Sequence, residues 1–429
     1  MNRIKKKIYN IQKDKKVIAS NYLSLFVLQI ANYLLPLLVL PFLVRILGTE
    51  KFGLVMFAQA LILFLTIFVD FGFNLSGTRE ISIARDNKDK LSEIFSAIMF
   101  IKICLIIVAF TILFIVVNVF TRFRIDSEIY YLTFGIVIGQ ALFPVWFFQG
   151  IEKMKFITLI NITAKLIFTL LVFVFIRQQS DYIFVPVYNS LGFIVSGIIG
   201  FLFCFRYVKV KIPSFYTIKR LLKESSILYV SNFATSLYTA SNVFILGIFA
   251  GNSIAGIYAS MEKLILAIKN IYSPFYQALY PWLSKQKDNV KIRTIKKIKP
   301  LILLLSVLIT IVILLFGNTL LLVIYDNKLI TNYAIIFKLL SLISIFSALN
   351  MLYNTLYFPS IKKYKIRMNI LISGGVFNLF ISLILVYYFG IYGTAFSVVS
   401  TELFLLILGI YFFNKTVKIK KEANQNMIF

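Results

Sequence analysis

Eight charged side chains lie inside long apolar runs of this sequence, where an ionised group is costly. They are three acids and five lysines: Asp70, Lys102, Lys165, Glu262, Lys263, Lys269, Lys338 and Glu402. Within a membrane such groups usually face protein or a water-filled cavity, although a lysine near a helix end can instead extend to the interface. The excess of lysine predicts a cationic interior. That interior would suit an anionic ligand, and phosphate is the anion that basic side chains most often hold.

Spacing separates the possible roles of these charges. Glu262 and Lys269 are seven residues apart, so they share one helix face and could belong to one polar stripe. Glu402, in the middle of its run, is expected either to pair with one of the lysines or to hold a proton. The three acids Asp70, Glu262 and Glu402 are also the candidates for coupling to H⁺ or Na⁺.

Other polar residues lie closer to the ends of the runs. Asp70 is near one such end, where Arg79 and Arg85 are its expected partners. For Lys338, about six residues from the end of its run, extension to the interface and a place in the interior are both open. Lys338, Arg45 and Gln59 are assigned to gating or to support of the interior charges.

The composition excludes several classes of protein. Of 429 residues, 60% are hydrophobic and 14% are charged, whereas a soluble domain carries about a quarter charged residues. The chain has no histidine, which excludes His-dependent nucleophilic catalysis and His-ligated metal sites. Cys104 and Cys204 lie far apart in apolar runs and predict no disulfide. We expect a polytopic membrane protein with no cofactor and no metal.

The basic residues are placed as membrane orientation signals. The net charge of +28 comes from short clusters between apolar runs, not from a basic face with interleaved aromatic residues, so nucleic acid is not the expected partner. One side of the predicted membrane carries 34 Lys or Arg and the other carries 6. This asymmetry predicts that both termini are cytoplasmic. Trp146 and Trp282 fall near predicted cytoplasmic ends and are expected to anchor the interface.

Twelve membrane spans are predicted from the apolar runs. They cover residues 19–45, 52–75, 93–119, 128–149, 156–176, 183–205, 226–249, 254–281, 300–324, 332–358, 367–389 and 392–413. Every connection is short, about twenty residues at most, so no soluble catalytic domain fits. No Walker A motif occurs either, and we therefore expect a protein that is not an enzyme.

The sequence also predicts that the chain consists of two similar halves. Leu47-Gly48 with Phe52-Gly53 recurs at the same spacing as Ala250-Gly251 with Ala255-Gly256, which places Gln59 opposite Glu262. Six spans per half would give two lobes related by a pseudo-two-fold axis along the membrane normal. The predicted fold is all-α, with twelve transmembrane helices in two six-helix lobes. The predicted segments are a basic N-terminus (1–18), a first lobe (19–205), a basic linker (206–225), a second lobe (226–413) and a tail (414–429).

Several segments resemble bacterial polysaccharide repeat-unit flippases, the O-antigen and capsule exporters of the multidrug, oligosaccharidyl-lipid and polysaccharide exporter superfamily. They are LPFLVRILGTEKFGLVMFAQA (40–60), DFGFNLSGTREISIARDN (70–87), PVWFFQGIEKMKFITLINITAK (144–165), ALYPWLSK (278–285) and FGIYGTAFSVVSTE (389–402). The resemblance implies a multi-pass protein of the bacterial cytoplasmic membrane. It also implies that a polyprenyl-diphosphate-linked oligosaccharide moves to the outer leaflet by alternating access through a cationic central cavity.

From the charges and this resemblance together, five basic residues are expected to hold the diphosphate: Arg79, Lys102, Lys165, Lys263 and Lys269. A polysaccharide polymerase or glycosyltransferases would be further partners. Two other classes stay open at this point. A drug or cation antiporter of the same superfamily should need a predominantly acidic pocket. A membrane glycan polymerase should carry a sizeable outer loop, which this chain lacks.

Overall fold

A computed structural model describes the backbone of residues 2–425. Side chains are described for residues 31–32, 35–230, 232–234, 236–238, 240–273, 275–276, 279–280 and 282–418. Throughout this part of the chain the secondary structure is helical, and no β-strand occurs in it. The expected all-α membrane class is thus confirmed at the level of secondary structure.

Nine α-helices make up the first part of the described chain. They are α1 (Asn2–Asp70), α2 (Phe73–Ala84), α3 (Lys88–Val119), α4 (Thr121–Arg124), α5 (Ser127–Leu142), α6 (Val145–Gly150), α7 (Met154–Phe175), α8 (Phe184–Cys204) and α9 (Phe215–Thr239). A short 3₁₀ helix, Gln179–Ile183, precedes α8. The side chain of Asn87 accepts hydrogen bonds from the N–H groups of Asp89 and Lys90 and so caps α3 at its start.

Eight more α-helices follow. They are α10 (Ser241–Asn270), α11 (Tyr272–Ser284), α12 (Asp288–Tyr325), α13 (Lys328–Asn332), α14 (Ala334–Leu340), α15 (Leu342–Met351), α16 (Phe358–Ser360) and α17 (Tyr364–Gln425). A π-helix, Leu352–Tyr357, joins α15 to α16. Such widened turns are rare and often mark functional sites within helices.

Nine helical stretches of the described chain are long and apolar enough to cross a membrane: Leu35–Ala84, Lys88–Val119, Ser127–Gly150, Met154–Phe175, Gln179–Cys204, Ser241–Asn270, Asp288–Tyr325, Ala334–Ser360 and Tyr364–Lys418. Three of them contain a glycine outside the helical region of backbone space, at Gly48, Gly251 and Gly390. Each of these breaks falls at or beside a connection predicted from the sequence. The chain is therefore a multi-pass membrane protein.

The glycines at two of the breaks adopt the same backbone conformation. Gly48 has φ 70° and ψ 171°, and Gly251 has φ 85° and ψ 174°. Residues with a Cβ rarely adopt positive φ, so glycine is required at both positions. The recurrence seen in the sequence is therefore also a recurrence of backbone conformation.

The chain forms two compact units. The first comprises Met1–Val39 and Leu61–Phe233, and the second comprises Leu40–Ala60 and Ala234–Phe429. The second unit therefore includes the helical segment on both sides of Gly48.

Within the second unit, the two glycine-containing segments pack directly against each other. A Cβ added at Gly53 would lie 1.8 Å from the carbonyl oxygen of Asn252, and one added at Gly256 would lie 2.1 Å from that of Thr49. The hydroxyl groups of Thr49 and Ser253 are also hydrogen-bonded, at 2.9 Å. Gly53 and Gly256 are equivalent positions in the repeat, so the contact is reciprocal and depends on the absence of side chains.

A second recurrence, not identified from the sequence, lies at the turns before α7 and α17. Glu152 (φ 60°) and Lys362 (φ 59°) are both left-handed. Each is followed by an N–H group that reaches five residues back, from Lys153 to Phe148 (2.8 Å) and from Lys363 to Phe358 (2.9 Å). This is the Schellman pattern of helix termination. The two turns have similar sequences, FFQGIEKMK (147–155) and YFPSIKKYK (357–365).

Each unit has its own buried core. In the first unit, Phe95 packs against Phe147 with ring centroids 5.3 Å apart, and Trp146 is fully buried beside them. The expectation that Trp146 anchors the membrane interface is therefore wrong, because helix packing encloses it. Trp282 is 49% exposed and remains a candidate for that role. In the second unit, Tyr276, Tyr353 and Tyr357 centre a core closed by α17.

Candidate functional site

A cluster of buried polar side chains surrounds Glu402 in the second unit. Glu402, on α17, is 2% exposed. Lys269, from α10, donates a hydrogen bond to its Oε1 atom, and Asn350, from α15, donates one to Oε2 at 3.4 Å. Both carboxylate oxygens are thus engaged. Of the two expectations for Glu402, pairing with a lysine is the one found in the structure.

The π-helix adds another amide to this cluster. Asn354, in its first turn, donates a hydrogen bond to Oδ1 of Asn350, which in turn reaches Glu402. The two asparagines are four residues apart and lie on one helix face. A polar path of three side chains therefore runs from α17 along α15 into the π-helix.

The same cluster borders a small cavity. The seven-residue spacing predicted that Glu262 and Lys269 share a helix face, and both line this cavity together with Glu402. Glu262 is buried and accepts a hydrogen bond from the hydroxyl of Tyr258 at 3.2 Å. The other lining residues are Tyr238, Asn242, Ile265, Leu266, Leu340, Ile343 and Val398.

Two acceptor atoms of the described cluster have no hydrogen-bond partner: Oδ1 of Asn242 and Oδ1 of Asn354. The charged groups lining the cavity are one lysine and two carboxylates, so oxygen acceptors outnumber cationic donors there. Such an oxygen-rich pocket suits a proton or a small hard cation better than an anion. Among the described residues, however, no group of three or more His, Cys, Asp or Glu side chains forms a metal site.

The first unit contains a second buried ion pair. Lys102, on α3, lies with Nζ 3.4 Å from Oδ1 of Asp70, and its side chain is 3% exposed. The expected partners of Asp70, Arg79 and Arg85, do not fill that role in the structure. Arg79 is exposed, and Arg85 instead pairs with Glu152 at 2.9 Å. Helix packing brings Asp70 to Lys102, which is 32 residues away in the sequence.

Lys165 differs from the paired lysines in the charge of its partner. Its Nζ donates a hydrogen bond to Oδ1 of Asn32, on α1, at 2.6 Å, and the residue is half-buried on α7. An amide oxygen orients the ammonium group without neutralising it. The described hydrogen-bond partner of Lys165 thus carries no charge that could neutralise an ammonium group.

The remaining residues selected from the sequence have separate surroundings. Arg45 is exposed, and its guanidinium donates to the carbonyl oxygens of Val323 (2.9 Å) and Ile324 (2.8 Å) at the end of α12. Lys338 is half-buried, and its stem lies over Gly317 of α12. Gln59 and Lys263 are half-buried and are not among the residues lining the cavity of the second unit.

The neutral polar members of the cluster were not predicted, because the site candidates were mainly charged residues inside apolar runs. Asn242, Asn350 and Asn354 also lie in such runs, and the four-residue spacing of the last two was visible in LNMLYNTLY. A buried amide also costs free energy unless it is hydrogen-bonded, although less than a buried charge does. Counting them would have predicted most of the cluster.

Comparison with known proteins gives a matching family profile and a relative that matches over nearly its full length. The sequence profile described as "Polysaccharide biosynthesis protein" matches residues 18–287. A protein of Escherichia coli (strain K12) named "Putative O-antigen transporter" is 30% identical over 403 residues, which cover 93% of this chain and 97% of that protein.

Solved structures show the same fold at low sequence identity. An inward-facing multidrug resistance MATE family transporter of the MOP superfamily superimposes with a TM-score of 0.69, at 15% identity over 90% of this chain and 96% of that one. Lipid II flippase MurJ in an inward closed conformation gives a TM-score of 0.68, at 12% identity over 92% and 87%. From the profile and the full-length relative together, this chain belongs to the polysaccharide biosynthesis protein family.

Proposed function

We propose that this protein is a flippase that moves polyprenyl-diphosphate-linked oligosaccharide repeat units from the cytoplasmic to the outer leaflet for surface polysaccharide synthesis. The observation that carries the proposal is Lys165, a cation inside a membrane helix whose hydrogen-bond partner in the structure is a neutral amide. The full-length relative named as an O-antigen transporter supports the class of substrate.

The chemistry of such a substrate explains why buried cations are needed. A diphosphate with attached sugars cannot cross hydrocarbon unaided, because its charges would lose their hydration without gaining partners. Lysine and arginine side chains replace part of that hydration through charge-assisted hydrogen bonds. The polyprenyl tail is apolar and can stay in the lipid during the transfer.

The five basic residues proposed to hold the diphosphate differ in how available their charge is. Lys165 faces a neutral partner, whereas Lys102 is neutralised by Asp70 and Lys269 by Glu402. Arg79 is exposed and Lys263 is half-buried. We therefore propose that Lys165 contributes most to binding of the diphosphate, followed by Arg79 and Lys263. Lys102 and Lys269 could contribute only when their acids take a proton or another cation.

We further propose twelve membrane crossings with both termini in the cytoplasm and a location in the bacterial inner membrane. The helix breaks at Gly48 and Gly390 support this count, since each separates two helical runs long enough to cross. The break at Gly251 separates the first turns of α10, which continue from α9, from the rest of α10. The excess of Lys and Arg on one side supports the orientation. Access to the substrate would alternate between the two leaflets.

The oxygen-rich cavity of the second unit is the proposed coupling site for H⁺ or Na⁺. Glu262 and Glu402 supply carboxylates there, and Asn242 offers an acceptor without a described partner. Glu262→Gln is expected to keep the protein in the membrane and to remove the dependence of transport on a proton or sodium gradient. An unchanged dependence in that variant would assign coupling elsewhere.

The substrate proposal can be tested in a strain that lacks the gene. Lipid-linked repeat units should accumulate in the cytoplasmic leaflet, where a membrane-impermeant glycan probe on right-side-out vesicles does not reach them. Wild-type protein should restore labelling, and Lys165→Gln should reduce it at least about tenfold, since a charge-assisted contact to phosphate is worth more than about 1.4 kcal/mol. Lys165→Arg should retain a substantial part of the labelling.

Lys155→Gln is the matched control, because Lys155 is exposed near the start of the same helix. It removes one charge from α7 without touching the interior and should label like wild type. If single repeat units reach the outer leaflet without this protein but stay unpolymerised, the flippase proposal fails and a polymerase role replaces it.

One observation favours a second candidate, a cation-coupled antiporter of small cationic molecules. The cavity of the second unit has two carboxylates and one lysine, which is the balance that such a pocket needs. Proteoliposomes loaded with a cationic dye would separate the two functions. Dye export driven by an ion gradient and lost in Glu262→Gln would support the antiporter.

A further inference from the structure

The segment that connects α8 to α9 exposes an unusual set of apolar side chains. Val210 is 74% exposed, Ile212 98%, Phe215 79% and Tyr216 77%. Val210 and Ile212 alternate with the exposed Lys209 and Lys211. We call residues 205–223 the linker surface. An apolar set of this kind in a loop outside the membrane core needs a covering partner.

The linker surface is held in place along the start of α3. The backbone N–H groups of Lys209 and Lys211 donate to the hydroxyl oxygens of Ser92 (3.1 Å) and Ser96 (3.0 Å). Lys209 and Lys211 are two residues apart, about 6.6 Å in an extended chain, and Ser92 and Ser96 are four residues apart, about 6.0 Å along a helix. The spacing of the donors therefore matches the spacing of the acceptors. The segment therefore runs in an extended conformation beside α3.

Side chains add further attachments at the same place. Ser214 and Thr217 both donate to Oε1 of Glu93, at 2.9 and 2.7 Å, and Lys211 pairs with Asp89 at 2.5 Å. One turn further along α9, Arg220 pairs with the buried Glu80 at 2.8 Å. These contacts engage the nearby acids, so the apolar side chains are presented from a fixed backbone.

The position of α3 gives the depth of this surface. Its 32 residues span about 48 Å, against about 30 Å for the hydrocarbon core, so part of the helix projects beyond the core. Its exposed apolar face begins at Phe100 and continues to Val119. Ser92 and Ser96 lie one to two turns before Phe100. The linker surface is thus at the level of the lipid headgroups, not in bulk water.

The charges of the linker surface match an anionic layer. Lys209, Lys219 and Lys223 are exposed, and they form no ion pair within the described part of the chain. On α9, Tyr216, Lys219 and Lys223 recur at helical spacing along one exposed stripe. Apolar side chains flanked by lysines are typical of segments that lie in a membrane interface and bind acidic lipids.

We propose that the linker surface binds the headgroups of anionic phospholipids in the leaflet on the side of the two termini, with Ile212 and Phe215 inserted at the acyl boundary. The inference rests on the topology proposed above for the function, but not on the identity of the transported substrate. The phosphate-containing ligand is thus a structural lipid of the bilayer, bound outside the transport path.

Lipid binding can be measured directly on the purified full-length protein by native mass spectrometry with phosphatidylglycerol. The test variant is Lys209→Gln/Lys219→Gln/Lys223→Gln. The matched control, Lys287→Gln/Lys296→Gln/Lys297→Gln, removes three exposed charges from another segment of the same predicted side. We expect the linker variant to lose at least about tenfold in phosphatidylglycerol affinity and the control to change less than about twofold.

Insertion is tested by Tyr216→Trp in nanodiscs that contain phosphatidylglycerol. Lipids brominated near the headgroup should quench the added fluorescence, and aqueous iodide should not. Quenching by iodide alone, or equal lipid affinity in the linker and control variants, would overturn the proposal and leave an acidic cytoplasmic protein as the partner of this surface. Because both measurements avoid transport, their failure is distinguishable from failure of the flippase proposal.

Discussion

At the scale of single residues, the partner of each buried lysine decides what that lysine can do. Lys102 and Lys269 face carboxylates and are neutral as pairs, whereas Lys165 faces the amide of Asn32. A paired lysine stabilises the fold but has little charge left for a substrate. An orienting amide leaves the charge available, which is why Lys165 is central to the proposed function.

The pair between Lys269 and Glu402 gives a stability prediction. Lys269→Met or Glu402→Gln alone should lower the stability of the purified protein by about 3–5 kcal/mol, because each leaves the partner buried without compensation. The double variant Lys269→Met/Glu402→Gln should recover much of that loss. Thermal unfolding in detergent measures the stability of the wild type, the two single variants and the double variant. Losses that simply add in the double variant would mean that the two side chains do not interact.

The charges in the apolar runs were predictable at this scale, but most of their partners were not. Hydropathy alone predicts that Glu402 is buried, because its apolar run contains no other charged residue. Its pairing with Lys269 depends on how α10 packs against α17, across 133 residues. Asp70 illustrates the failure: nearness in sequence favoured Arg79 and Arg85, whereas helix packing selected Lys102.

At the scale of elements, glycines set how the helical segments around Gly48 and Gly251 meet. Gly48 and Gly251 turn the chain, and Gly53 and Gly256 let the backbones touch within the second unit. The spacing of these glycines predicted the turns, since a positive φ combined with a ψ near 170° is essentially confined to glycine. Spacing could not predict the contact, because glycine at a close approach and glycine at a loosely packed position look alike in a sequence.

Glycine-to-alanine changes separate the two kinds of position. In Gly53→Ala the added Cβ would meet the oxygen of Asn252 at 1.8 Å, so the backbones must separate, at a cost of about 1–3 kcal/mol or more. In Gly409→Ala, on α17, the nearest atom is 3.5 Å away, which is ordinary contact. That control should be neutral or up to about 1 kcal/mol more stable. Equal melting temperatures for the two variants would refute the close contact.

At the scale of the whole molecule, lipid explains the composition. The exposed side chains of α3, α7, α8 and α12 are largely apolar, which a protein in water could not tolerate over so many helices. Hydropathy therefore predicted the class of fold, an all-helical multi-pass membrane protein. They could not predict that Leu40–Ala60 packs in the second unit, since that depends on contacts between distant segments.

The proposed topology makes one further prediction that α12 can test. Lys287 precedes this helix and Lys328 follows it, and both are exposed. If α12 crosses the membrane once, the two positions lie on opposite sides, with Lys287 in the cytoplasm. In a background with both native cysteines replaced by serine, a sulfonated maleimide should label Lys328→Cys in right-side-out vesicles. It should label Lys287→Cys only after the vesicles are opened.

The unsubstituted background is the control and should stay unlabelled in both conditions. A reversed pattern would place the termini and the linker surface on the outer side, against the distribution of lysine and arginine. The linker surface would then face the opposite leaflet, although its attachment to α3 would be unchanged. Labelling of both positions from the same side would mean that α12 does not cross, and the count of twelve would fail with it. The two cysteines therefore test orientation and span number in one experiment.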